Sequence, residues 1–105
     1  MDGIVGGQGN GPLTPDPVHC GTLIGGFNAV ATDIVASSLM GFDYAKIPLI
    51  NKLISTGAPG LDLFNSPVSD IVVVDQGTET SLEQFRKTRN LHFAPHPAWK
   101  GAIER

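Results

Sequence analysis

A single cysteine, Cys20, occurs in the chain. It has no partner for an intramolecular disulfide, so a secreted disulfide scaffold is excluded. Alone it cannot hold an iron–sulfur cluster, which normally takes four ligands. Cations are also scarce. Seven Lys and Arg against ten Asp and Glu leave a formal net charge of -3, with a pI near 5.4. Nucleic-acid binders usually carry a basic face. Here the one basic cluster is Arg86, Lys87 and Arg89, a grouping that suits the solvated end of a helix. No apolar run approaches the roughly 18 residues of a membrane span. The amino end lacks the charged start and apolar stretch of a signal peptide. The expectation is therefore a cytoplasmic protein with neither nucleic acid nor membrane as a partner.

What is present points to one folded core. The chain has 105 residues, 41% of them hydrophobic and 16% charged. A disordered chain would be more charged and less apolar. A length of 105 residues supports one domain over 1–105 and leaves no room for two.

The residues from Gly6 to Gly11, followed by Pro12, hold four glycines in six positions. Glycine is costly inside regular structure, so this stretch reads as a loop that continues through Pro15, Asp16 and Pro17. The preceding Gly3-Ile4-Val5 reads as the end of a strand, and 20–25 as a second strand. Asn28 suits a helix N-cap. Val30, Ala31, Ile34, Val35 and Leu39 follow at helical spacing, and Gly41 supplies a stop. The pattern predicts a helix over 29–40.

Pro48 is acceptable in a helix's first turn. Leu49, Ile50, Leu53 and Ile54 then predict a second amphipathic helix that stops at Gly57. A turn at Ala58-Pro59-Gly60 and an irregular stretch over 61–69, broken at Pro67, come next. Ile71-Val72-Val73-Val74 is continuous and β-branched, as in a strand covered on both faces. Asp75-Gln76-Gly77 ends it. Thr80 with Glu83 fits a capping box for a short third helix anchored by Leu82 and Phe85. The tail from Leu91 carries Phe93 and Trp99 and is expected to dock, while Pro95 and Pro97 exclude regular structure there. Strands alternating with helices argue for an α/β fold: a small mixed or parallel sheet of about three strands with helical cover, in one domain. Such a narrow sheet would have open edges.

The segment Asp2-Gly3-Ile4-Val5-Gly6-Gly7-Gln8-Gly9-Asn10-Gly11-Pro12 resembles the DGI-x-G-x-x-GNGP motif of the family known as domain of unknown function 362. Gly25-Gly26-Phe27-Asn28-Ala29-Val30-Ala31-Thr32-Asp33 resembles its G-x-N-P-V-A-x-D stretch. Leu39-Met40-Gly41-Phe42-Asp43 and Pro97-Ala98-Trp99-Lys100-Gly101 resemble its L-M-G-F-D and P-x-W-K-G motifs. Ala29 stands where the family pattern often has Pro, and Gln8 where it often has Glu. Family members are typically longer, and some are fused to a ferredoxin-like domain. The resemblance thus implies the carboxyl-terminal lobe of a larger, redox-associated protein. Any iron–sulfur cofactor would lie in another domain, and none is expected in this chain. The partner would be a missing upstream domain or a second copy. The resemblance brings no established reaction.

Among candidate sites the glycine-rich loop leads. Its backbone N–H groups could converge on an anionic or small-molecule ligand, although it matches neither the dinucleotide nor the Walker pattern. The expected ligand-binding residues are Gly6, Gly7, Gly9, Asn10 and Gly11, with Asp33 accepting hydrogen bonds from the loop and holding its shape. His19 with Cys20, and His92 with His96, are too few and too poorly aligned to make a metal site. Asp70 and Asp75 bracket the valine strand and read as solvated ends. No catalytic residue is assigned. The functional expectation is a glycine-loop binding lobe. The alternatives are an enzyme lobe with its site against another domain, and a structural or dimerising module.

Overall fold

The computed structural model describes residues 1–56 and 66–105. The expected stop at Gly57, the turn at 58–60 and the stretch 61–65 lie outside the described residues.

The strongest local signals give the central element. Helix α1 spans Ala29–Met40, the range that the apolar spacing and caps predict. The Asn28 side chain accepts from the Ala31 amide at 2.9 Å. At the other end Gly41 takes φ 93°, a left-handed conformation that glycine adopts without a Cβ penalty. Its N–H donates to Ser38, and the Phe42 N–H donates to Ser37, the paired carbonyl capping of a Schellman motif. From Ile34 to Leu39 every residue of α1 is buried. The helix is therefore enclosed by its neighbours rather than laid on a surface by one stripe.

Helix α2, Pro48–Thr56, starts at the proline and buries Ile50. Leu49, expected on its apolar stripe, is instead exposed. Strands β3 (Val72–Asp75) and β4 (Thr78–Ser81) form an antiparallel hairpin, and helix α3 (Leu82–Thr88) follows at once. Ile34, Val35, Leu39, Ile50, Val73, Leu82 and Phe85 make one core from α1, α2, β3 and α3.

The amino-terminal hairpin is β1 (Asp2–Gln8) and β2 (Asp16–Leu23), antiparallel with a register shift between Gly3 and Val5. Met1 and Ile24 exchange hydrogen bonds beyond the strand ends.

Several expectations are corrected here. Mixed helices and strands are present, but not one mixed or parallel sheet of about three strands. The described residues form two separate two-stranded antiparallel sheets. Gly6 and Gly7 lie inside β1, paired with Val18 and Pro17, so the connection between strands is shorter than the composition suggests. Asp16 and Pro17 likewise belong to β2. The physical reason is packing. A β-carbon at Gly6 would lie 2.7 Å from the Phe93 ring, and one at Gly7 would lie 2.9 Å from Pro15. Here glycine admits close neighbours within a strand. The valine run is not covered on both faces: Val73 is buried, but Val72 and Val74 are 62% and 63% exposed. The cap of α3 is Ser81, whose hydroxyl accepts from the Gln84 amide at 3.2 Å, one residue beyond the Thr80 the pattern suggests.

The tail docks by backbone bonding. Leu91 and Phe93 donate to Leu39 and Met40 at the end of α1, Asp43 donates to Ile103, and Arg105 donates to Gly41. Pro97–Trp99 is a single 3-10 turn. Among the described residues, no helix is long and apolar enough to cross a membrane.

Candidate functional site

The carboxyl end of α1 is where three parts of the chain meet. Gly7, Gly9 and Gly11 come from β1 and its following loop. Met40 and Phe42 come from the helix end, and Phe93, His96 and Trp99 come from the tail. Together they line a cleft of about 370 Å³, within the size range of small-molecule sites.

Two hydrogen bonds fix the glycine segment to the tail. The Gly9 N–H donates to the Ala94 carbonyl at 3.0 Å. The Gln8 side-chain oxygen accepts from the Ala94 N–H at 2.8 Å. The Gly11 N–H turns back on the Gly9 carbonyl, and the Asn10 carbonyl accepts from Thr14. The amides of Gly9 and Gly11 are thus already committed within the protein, rather than converging on a common point as an anion nest requires.

The walls are mainly apolar. Phe42 and Phe93 are buried, whereas Trp99 is 45% exposed and forms part of the rim. One ionisable side chain, His96, lines the cleft among the described residues. Its Nδ1 accepts the Ala98 amide at 3.1 Å. That bond assigns the proton of the neutral ring to Nε2, the nitrogen left to donate to a ligand.

The expected site residues separate. Gly7, Gly9 and Gly11 reach the cleft. Gly6 lies against the Phe93 ring, and Asn10 belongs to the turn. Asp33 does not hold the loop: it is exposed, and no hydrogen bond joins its carboxylate to residues 6–11. It lies four positions before Ser37, which does line the cleft. At 1.5 Å per residue Asp33 sits about 6 Å short along the helix. Its backbone carbonyl accepts from the Ser37 hydroxyl at 2.6 Å.

Other candidates have structural partners. Cys20 donates to the Val18 carbonyl at 3.3 Å. Asp75 pairs with Arg89 at 2.7 Å and Lys87 with Glu83 at 2.7 Å. Arg86 lies over the Tyr44 ring, 4.9 Å from its centroid. Among the described residues no three His, Cys, Asp or Glu side chains gather as a ligand set. Met40, Phe42 and His96 were not legible as site residues. The two tail aromatics signalled docking, but nothing in their spacing named the surface they meet. The chain matches no family model, no curated protein and no solved structure.

Proposed function

We propose that this chain is a binding lobe whose glycine-bearing strand and aromatic tail hold a small, uncharged, largely planar molecule. The observation that carries the reading is the cleft at the end of α1, with apolar walls and a single histidine. Apolar walls with a few fixed polar groups are the usual make-up of small-molecule sites. Trp99, 45% exposed at the rim, offers an aromatic ring for offset stacking, and His96 Nε2 offers one directional donor. The commitment of the Gly9 and Gly11 amides favours an uncharged ligand over an anion. On the resemblance to domain of unknown function 362, the lobe would serve a larger, redox-associated protein. Its ligand would then lie near a surface shared with that protein's other part.

Amide NMR titration with planar heteroaromatic fragments, and separately with inorganic phosphate, tests the reading. Fragments are expected to shift Gly7 to Gly11 and Ala94 to Trp99 together, and Trp99→Ala to weaken that response by about two- to tenfold, as loss of one stacking contact implies. Phosphate shifting the same amides while fragments leave them unmoved overturns it.

A further inference from the structure

Among the described residues the two hairpins have four outer strand edges, and these are not alike. The outer edge of β1 continues into the tail through the Gly9 to Ala94 bond. Strand β2 carries Pro17, and β4 carries Glu79 on a polar strand. Proline and charge are the common means of blunting an edge. Strand β3 has neither before Asp75, and its exposed side chains are Val72 and Val74.

Register fixes which backbone groups face outward. Asp75 pairs with Thr78 across the two-residue turn, and Val73 pairs with Thr80. Hydrogen-bonded and non-bonded pairs alternate along an antiparallel ladder, and the pair that closes a two-residue turn is bonded. Val73 and Asp75 therefore bond to β4, while the N–H and C=O groups of Val72 and Val74 point to the open edge. Leu23 and Phe27, 72% and 114% exposed, line the same hollow of about 1020 Å³ beside that edge.

We propose that β3 pairs with β3 of a second copy of this chain, antiparallel about a two-fold axis at Val73. In that register Val72 faces the partner's Val74, and each donates to and accepts from the other. The two Asp75 carboxylates fall at opposite ends of the paired strands, so no like charges oppose. At their observed exposures, Leu23, Phe27, Val72 and Val74 present at most roughly 500 Å² of apolar surface per copy. Specific interfaces start at about 600 Å² per partner, about two-thirds of it apolar, so these four side chains can supply the apolar part of a contact at the small end of that range. An isologous patch of this kind closes on itself and stops at two copies.

Sedimentation and hydrogen exchange at low and high protein concentration test this. The expected result is a dimer, with the Val72 and Val74 amides gaining protection as concentration rises. The V72K/V74K double variant should weaken dimerisation about a hundredfold or more, while Leu49→Lys, on the exposed side of α2, should leave it unchanged. A strict monomer overturns the proposal. So does a dimer whose Val72 and Val74 amides exchange equally fast at both concentrations, or one that survives the double variant in a folded state. The exchange measurement uses the unaltered chain and does not depend on the variant folding.

Discussion

A β-carbon placed on Gly6 would stand 2.7 Å from Cζ of Phe93. Strand β1 and the tail meet at that point because position 6 carries no side chain. Phe93 is itself buried and its amide is bound to Met40, so the ring has little room to retreat. Gly6→Ala is expected to destabilise the protein by about 1–3 kcal/mol, the usual cost of overpacking. The same substitution in a Phe93→Ala background should cost much less, because the clashing ring is gone. A double-mutant cycle by denaturant unfolding measures the coupling. Equal costs in both backgrounds would show that the contact does not constrain the strand.

The hydroxyl of Ser38 is fully buried and has no hydrogen-bond partner among the described residues. An unsatisfied buried hydroxyl is costly, and its removal with little change of shape relieves the penalty. Alanine also has the higher helix propensity. Ser38→Ala is therefore expected to stabilise the protein by about 1 kcal/mol, read as a higher denaturation midpoint at unchanged slope. A loss of stability would show that the oxygen is satisfied in solution.

Much of α1 was legible because its signals are local. Asn28 and Gly41 cap it, and Val30, Ile34 and Leu39 repeat at the helical period, so chain neighbours alone specify it. The amino-terminal hairpin was only half legible. Gly6 and Gly7 look like loop residues until Phe93 and Pro15 are known to press on them, and those contacts are set by tertiary packing. Strand β4 escaped because Thr-Glu-Thr-Ser has no apolar alternation. It is held by the ladder to β3 and by its turn, not by a buried face. The cleft lay beyond sequence for the same reason. The glycine pattern marked one wall, but Phe42 joins the other from the end of α1, and His96 reaches it only through the path of the tail.

The β3–β4 turn is itself improvable. Gln76 and Gly77 have φ of 51° and 83°, the left-handed pair of a two-residue I′ hairpin, for which Asn-Gly is the favoured sequence. Glutamine pays a steric penalty there that asparagine largely escapes. Gln76→Asn is expected to add about 0.5–1 kcal/mol of stability, read by thermal unfolding. An unchanged midpoint would mean that the turn is not strained by its glutamine.

Acid should loosen the tail from one identifiable point. The Glu104 carboxylate accepts the Gly101 N–H through both oxygens, at 2.8 and 3.0 Å. That backbone bond is the main cause holding its pKa below the ordinary 4.5. A carboxyl whose folded pKa is depressed contributes stability above its unfolded value and loses it as pH falls through the folded one. The contribution is thus complete near neutrality and fades below about 4.5. Hydrogen exchange and shift of the Gly101 amide should follow that titration in the unaltered protein. In Glu104→Gln, which keeps an oxygen acceptor but has no proton to gain, the shift and the exchange protection, taken relative to the unfolded amide at the same pH, should become independent of pH over the same range. The Glu83 carboxyl, lowered chiefly by its bond from Lys87, titrates in the same acid region but sits on α3, so the Gly101 readout separates the two. A Gly101 amide that keeps its full pH response in the glutamine variant would show that another group governs this end of the tail.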